Sequence, residues 1–280
     1  MKYFKLMRTK HYIKNLMIFI PLLFSGHLLN VTAITTTSIG FLAFCLSASL
    51  IYIINDIKDV ENDRKHPIKK KRPIASGTIS IKQAYTLAAI LTLIITMIYI
   101  IAPINKLSII ILIIYVLTNV GYSLGLKNIP IIDVVILVLG FLLRIIYGAM
   151  LCNIFVSDWL YLTILVFAFF MGFGKRRNEL RKNNTNSRKV LKNYNYEFLD
   201  KIIYTFITLC ITFYSLWAMA SPSKYMIYTT FLLIIILLKY TLKLESDSFG
   251  DPVDMLLEDK ILLIMCIIYT LVVVGLLYIV

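Results

Sequence analysis

Nine stretches of about 20 mostly apolar residues follow one another along this chain, and a chain built that way folds with lipid as its main solvent. They run from about 12 to 30, 33 to 54, 81 to 103, 107 to 123, 131 to 151, 158 to 174, 198 to 220, 225 to 243 and 261 to 280. Apolar residues make up 59% of the sequence, against roughly 45 to 50% in an average soluble domain. The expectation is an all-α, polytopic membrane protein with nine transmembrane helices. So many spans leave no room for a separate soluble domain, and residues 1–280 read as a single integral-membrane domain. The first run is longer than a signal-peptide core and has no small-residue cleavage site, so it reads as a retained span.

A net charge of +14 would suggest nucleic acid in a soluble protein, but here the charges sort by side of the membrane. Lys2, Lys5, Arg8, Lys10 and Lys14 precede or open the first span, eight basic residues fall between Lys58 and Lys82, and nine fall between Lys175 and Lys201. The loops on the other side carry only Lys106 and Lys224 as bases and only Asp158 as an acid. The positive-inside rule therefore predicts a cytoplasmic N-terminus, an external C-terminus and ionic chemistry at the cytoplasmic face; the expected location is the plasma membrane, with no nucleic-acid partner. Cys45, Cys152, Cys210 and Cys266 show no metal or disulfide spacing, and His11, His27 and His66 are too scattered for a metal site.

Residues 55–77, NDIKDVENDRKHPIKKKRPIASG, place four carboxylates and seven Lys or Arg side chains between two nearly uncharged segments. Asp56, Asp59 and Asp63 stand at i, i+3 and i+7, so a helix would project them from one face toward one or two divalent cations. Mg²⁺ takes oxygen ligands, keeps some water and completes its shell with substrate phosphates. A carboxylate row beside a basic run suits it. The bland alternative is a solvated charged loop obeying the topology rule. The text SIKQ predicts a capping box, Ser80 with Gln83, opening the third span. KKKRPIASG would then fold over the aspartates, with Arg72 and nearby lysines such as Lys70, together with Arg64, neutralising phosphate.

Three further places draw attention. GYSLGLKNIPIID supplies Tyr122, Ser123, Lys127 and Asp133, and GKRRNELRK supplies Lys175, Arg176 and Glu179. Each reads either as a membrane anchor or as phosphate-binding. Arg144 lies in the middle of the fifth span, where a cation must face the protein interior. It either lines a polar cavity or bonds helix carbonyls. The acidic stretch 245–260 could hold a second metal through Asp251 and Asp254, though a solvated connector explains its irregular spacing better.

NDxxDxxxD after the second span resembles the UbiA superfamily of intramembrane prenyltransferases, and the likeness covers nearly the whole chain. That resemblance implies a UbiA-like helical bundle, Mg²⁺ as cofactor, and Asp56, Asp59 and Asp63 with Asn55 as metal ligands at the cytoplasmic mouth of a lipid-facing cavity. YSLGLK is similar to the family's YxxxxK signal and implies supporting roles for Tyr122 and Lys127. Where aromatic prenyltransferases of the family carry a second aspartate-rich motif, this chain has GKRRNE. Together with RTKHYIKNLMIFIPLLFSG, DVENDRKHPIKKKRPIASG and GFLLRIIYG, it resembles the decaprenyl-phosphate phosphoribosyltransferase branch.

This branch implies phosphoribosyl diphosphate and a polyprenyl phosphate as substrates; with those substrates, the charge placement makes Lys14, Asn15, Arg72, Lys127, Asp133, Arg144, Lys175, Arg176 and Glu179 the expected substrate-side residues. Donor and acceptor together bring a diphosphate and two further phosphates, more charge than one metal cluster neutralises. The runner-up is prenyl transfer to an aromatic or lipid acceptor on the same scaffold. A transporter or lipid-binding scaffold is the non-enzymatic reading, and it leaves the carboxylate row unexplained. The sequence leaves a homo-oligomer open.

Overall fold

The structure, a computed structural model, describes residues 2–67, 69–181, 189–245 and 252–279; side chains are described within these ranges except for Lys189 and residues 252–254. Among the described residues the ordered elements are helices: α1 (Lys2–Met7), α2 (Ile20–Phe24), α3 (Val31–Lys58), α4 (Val60–Lys65), α5 (Ile81–Ile101), α6 (Ser108–Leu124), α7 (Ile132–Leu151), α8 (Asp158–Arg181), α9 (Tyr196–Met219), α10 (Thr229–Glu245), α11 (Pro252–Glu258) and α12 (Lys260–Tyr278), with short 3₁₀ turns between several of them. Seven are long and apolar enough to cross a membrane, among them 226–245, which takes in α10, and α6 is a shorter apolar helix of 17 residues. The chain is therefore a multi-pass membrane protein.

The first apolar run departs from the expected single α-helix. Thr9–Phe19 forms a 3₁₀ helix, α2 adds five residues, and the chain turns at Gly26, whose φ of 77° favours a residue without a side chain. A 3₁₀ helix has three residues per turn, so Tyr12, Asn15 and Ile18 line up on one face. All three meet α3 or α7. The Tyr12 and Ser49 hydroxyls bond at 2.8 Å, Asn15 Nδ2 donates to Cys45 Sγ at 3.2 Å, and Ile18 is 1% exposed in the core. The Ile18 carbonyl packs so tightly on Gly148 of α7 that a Cβ there has no room.

The described chain packs as two compact units. Unit 1 holds residues 1–22, 27–123 and 143–154, and unit 2 holds residues 23–26, 124–142 and 155–280. In unit 1, α3 and α5 pack against each other and α1 lies on α3. One core joins Phe44, Tyr115, Tyr147 and Leu151; another joins Leu6, Ile53, Val60, Ile74 and Ile79. Asn30 caps α3 by accepting the Ala33 N–H, and Ser80 and Gln83 form both bonds of the capping box at the start of α5. In unit 2, α8 lies along α9 and α10 along α12, with a core of Leu160, Tyr214, Trp217, Met226 and Val273.

Candidate active site

The end of α3 carries the acidic cluster of unit 1. Asp59 leaves helical geometry (φ −91°, ψ 7°) and joins α3 to α4, while its N–H still bonds the Asn55 carbonyl at 2.9 Å and its own carbonyl accepts the Asp63 N–H at 2.8 Å. The near-continuous helix keeps Asp56 and Asp63 on one side, buried at 2% and 3% exposure, while Asp59 and Asn55 are half-buried. His66 is extended ahead of Pro67, which ends α4.

The loop after Pro67 is pinned by its own apolar residues. Ile74 and Ile79 enter the core beside Val60 and Ile53, the Ile79 N–H bonds the Pro73 carbonyl at 3.0 Å, and Gly77 takes φ 77° to close the turn. Arg72 is thereby laid across the carboxylates. Its Nη1 donates to Asp63 Oδ2 at 2.6 Å and to Asp56 Oδ1 at 3.2 Å. The same Asp56 oxygen accepts Arg8 Nη2 at 2.5 Å, and the Arg8 guanidinium lies 4.7 Å from the centre of the Tyr52 ring. Buried carboxylates are stable only when paired, and here two guanidinium groups pair them.

Two hard oxygen donors, Asp56 Oδ1 and Asp63 Oδ2, converge on one cationic nitrogen, Arg72 Nη1, at 3.2 and 2.6 Å, so the pair is already arranged around a positive charge. Among the described residues no group of three or more His, Cys, Asp or Glu side chains could hold a metal alone. The donor set thus fits a metal that draws further ligands from water and phosphate, as Mg²⁺ does.

Unit 2 has a polar centre of its own. Asp133, at the start of α7, is fully buried; its Oδ2 accepts Arg176 Nε at 2.5 Å and its Oδ1 accepts the Tyr194 hydroxyl at 2.6 Å. Arg176 also donates to Glu179 Oε2 at 2.7 Å. Ile131 sits at φ 68°, a strained setting for a β-branched residue, and its N–H donates to the Tyr194 oxygen at 2.7 Å. Burial first, and then the bond to Asp133, push the Tyr194 phenol well above its ordinary pKa, so it stays a donor.

The other expected site residues have settings of their own, each within its own unit. Arg176 has no exposed surface and Asn178 is buried, its Nδ2 donating to the Leu244 carbonyl at 2.8 Å. Arg177 reaches Asp200 at 2.7 Å and Glu245 at 2.6 Å. The GKRRNE segment therefore ties α8 to its neighbours within unit 2, while Lys175 is half-buried. Arg144 donates to Asn15 Oδ1 at 2.8 Å and to the Tyr115 hydroxyl at 3.1 Å, and lies over the Phe44 and Tyr115 rings. Asn15 is 2% exposed inside that network. Both residues thus join elements of unit 1. Arg64 pairs with Glu61 on the surface at 3.0 Å, Lys70 is exposed, and Lys14, Tyr122 and Lys127 are half-buried. Asp251 and the side chain of Asp254 lie outside the described residues.

Sequence reasoning left Arg8 without a site role and did not single out Tyr194. Arg8 stands 48 residues from Asp56 and Tyr194 stands 61 from Asp133. No spacing rule links them.

Comparison with known proteins agrees with the motif. The UbiA prenyltransferase family model matches residues 18–253. A decaprenyl-phosphate phosphoribosyltransferase of Mycolicibacterium smegmatis is 31% identical, over 93% of this chain and 87% of its own. One of Corynebacterium glutamicum is 29% identical, over 98% of this chain and 86% of its own. The solved structure of a UbiA homolog from Archaeoglobus fulgidus bound to DMAPP and Mg²⁺ superposes with a TM-score of 0.73, at 18% identity over 98% of this chain and 99% of that one, which shows a shared fold. The chain is a member of the UbiA prenyltransferase family.

Proposed function

We propose that this enzyme transfers the 5-phosphoribosyl group from phosphoribosyl diphosphate to a polyprenyl phosphate at the cytoplasmic membrane face, using residues 1–280 as one catalytic domain. The observation that carries the reading is the pair of buried carboxylates, Asp56 and Asp63, meeting two arginines at the end of a membrane-spanning helix. Such a cluster has the charges a metal-bound diphosphate exchanges with: anionic oxygens for the metal and guanidinium forks for phosphate. The names of relatives aligned over most of the chain support a phosphoribosyl donor. The segment 174–179, with Glu179 as its sole carboxylate, lacks the second aspartate motif that aromatic prenyl transfer would want.

Asp56 and Asp63, with Asn55 and Asp59 at the rim, would hold Mg²⁺ on the donor diphosphate. Bound there, the metal supplies charge neutralisation for the departing group. Arg72, held across both carboxylates, would present its remaining donors to phosphate oxygens, while Lys70 and Lys14 would add positive charge. An oxygen of the acceptor phosphate attacks the anomeric carbon, the bond from that carbon to the diphosphate breaks, and the diphosphate leaves with the electron pair. That phosphate is already ionised at neutral pH. Positioning therefore matters more than proton removal.

The test is direct. Purified protein with Mg²⁺, labelled phosphoribosyl diphosphate and polyprenyl phosphate should yield a labelled lipid, and Asp56→Asn should abolish it while the protein still inserts in the membrane. Transfer from a prenyl diphosphate to an aromatic acceptor instead would establish the runner-up, and full activity in Asp56→Asn would remove the carboxylates from the chemistry.

A further inference from the structure

We propose that Arg8 is an exchange cation: it neutralises Asp56 until a metal–diphosphate complex arrives and then passes its guanidinium to the diphosphate, so that the divalent metal and the donor bind together and weakly alone. The idea rests on the diphosphate site proposed above, but on no particular group being transferred.

Asp56 Oδ1 already accepts two guanidinium nitrogens, at 2.5 and 3.2 Å. A metal approaching that oxygen by itself meets two positive charges, and repulsion at such range in a partly buried site is strong. An incoming diphosphate removes the conflict by offering anionic oxygens to whichever cation moves. Of the two arginines, Arg72 also holds Asp63 at 2.6 Å, whereas among the described residues Arg8 is ion-paired to Asp56 alone. Arg8 is the cation free to transfer.

Its setting permits the move. Arg8 sits at the joint between α1 and the Thr9–Phe19 3₁₀ helix in left-handed geometry (φ 53°, ψ 45°). Its side chain is 24% exposed and borders a cavity of about 390 Å³ lined also by Phe4, Lys5, Lys10 and His11. The arm behind it is anchored, because Ser49 Oγ donates to the Met7 carbonyl at 2.8 Å. A fixed backbone carrying a side chain with open space on one side suits a swing of the guanidinium alone. Arginine's planar fork fits phosphate oxygens where a lysine ammonium would act as a point charge.

Manganese binding to the full-length protein in detergent, followed by paramagnetic resonance with and without inorganic pyrophosphate, tests this apart from turnover. In the wild type, pyrophosphate should tighten Mn²⁺ binding after the free manganese–pyrophosphate complex is accounted for. Arg8→Gln should bind Mn²⁺ alone about fivefold more tightly and lose about tenfold of the coupling to pyrophosphate. Arg8→Lys, which keeps a cation on the buried carboxylate and safeguards folding, should bind Mn²⁺ alone as the wild type does and lose part of the coupling. Unaltered coupling in both variants, or no gain in metal-alone binding by Arg8→Gln, would overturn the proposal. Intact coupling without phosphoribosyl transfer would instead sink the substrate reading and leave Arg8 in place.

Discussion

Asp133 and Arg176 are both fully buried, so each charge relies on the other to offset its lost hydration. Replacing Asp133 by Asn leaves a buried guanidinium short of its main partner. The loss of such a partner costs about 3–5 kcal/mol, which thermal unfolding in detergent should register as a clearly lowered midpoint. An unchanged midpoint would mean that Glu179 alone balances Arg176. The contrast with Asp56 is instructive. Spacing marks Asp56 and residue type marks Asp133, yet Asp56 has cations with one side toward solvent and Asp133 has none exposed, a difference of depth that the sequence does not encode. Seven residues bring Asp56 and Asp63 to one side of a helix, and Pro73 and Gly77 mark the turn that lays Arg72 on them; that much was readable. Arg8 and Tyr194 arrive through tertiary packing, and only the folded chain reveals them.

Among the elements, α5 and the 3₁₀ helix show the two extremes of legibility. Ser80 and Gln83 announce the start of α5 because both bonds of a capping box are local. The Thr9–Phe19 run looked like any apolar span, since hydrophobicity alone does not separate a period of 3.0 from one of 3.6; Tyr12 and Asn15 bonding to α3, and Asn15 to Arg144 of α7, select the tighter winding. Helix α12 offers a pH test. Asp259 caps it by accepting the Ile261 and Leu262 N–H groups at 3.1 and 3.0 Å, and Lys239 Nζ lies 3.2 Å away. The backbone bond from Leu262 is the first cause holding its carboxyl below the ordinary carboxylate pKa. A folded pKa below the unfolded one gives stability that is present above the unfolded value and lost as pH falls through the folded one. Wild type should melt above Asp259→Ala at neutral pH, and the gap should close in strong acid. A gap that persists there would assign the cap to something other than charge.

For the molecule as a whole, the charge asymmetry predicts an orientation. In a background with Cys152 and Cys266 replaced by serine, Lys224→Cys should react with an impermeant maleimide in intact cells, and Lys70→Cys only after lysis. The opposite pattern would put the acidic cluster outside. Helical character and the multi-pass plan were legible because span length follows bilayer thickness. The division into two compact units was not, because α7 contributes residues up to Leu142 to one and from Leu143 to the other without any break in its sequence pattern. Along the Thr9–Phe19 winding, a single inserted or deleted residue turns everything upstream by about 120°, and a change of three restores the angle but shifts Arg8 by about 6 Å lengthwise, so either carries it away from its carboxylate. Natural versions of this arm should thus keep its length fixed, as a ruler does, and vary in residue type instead.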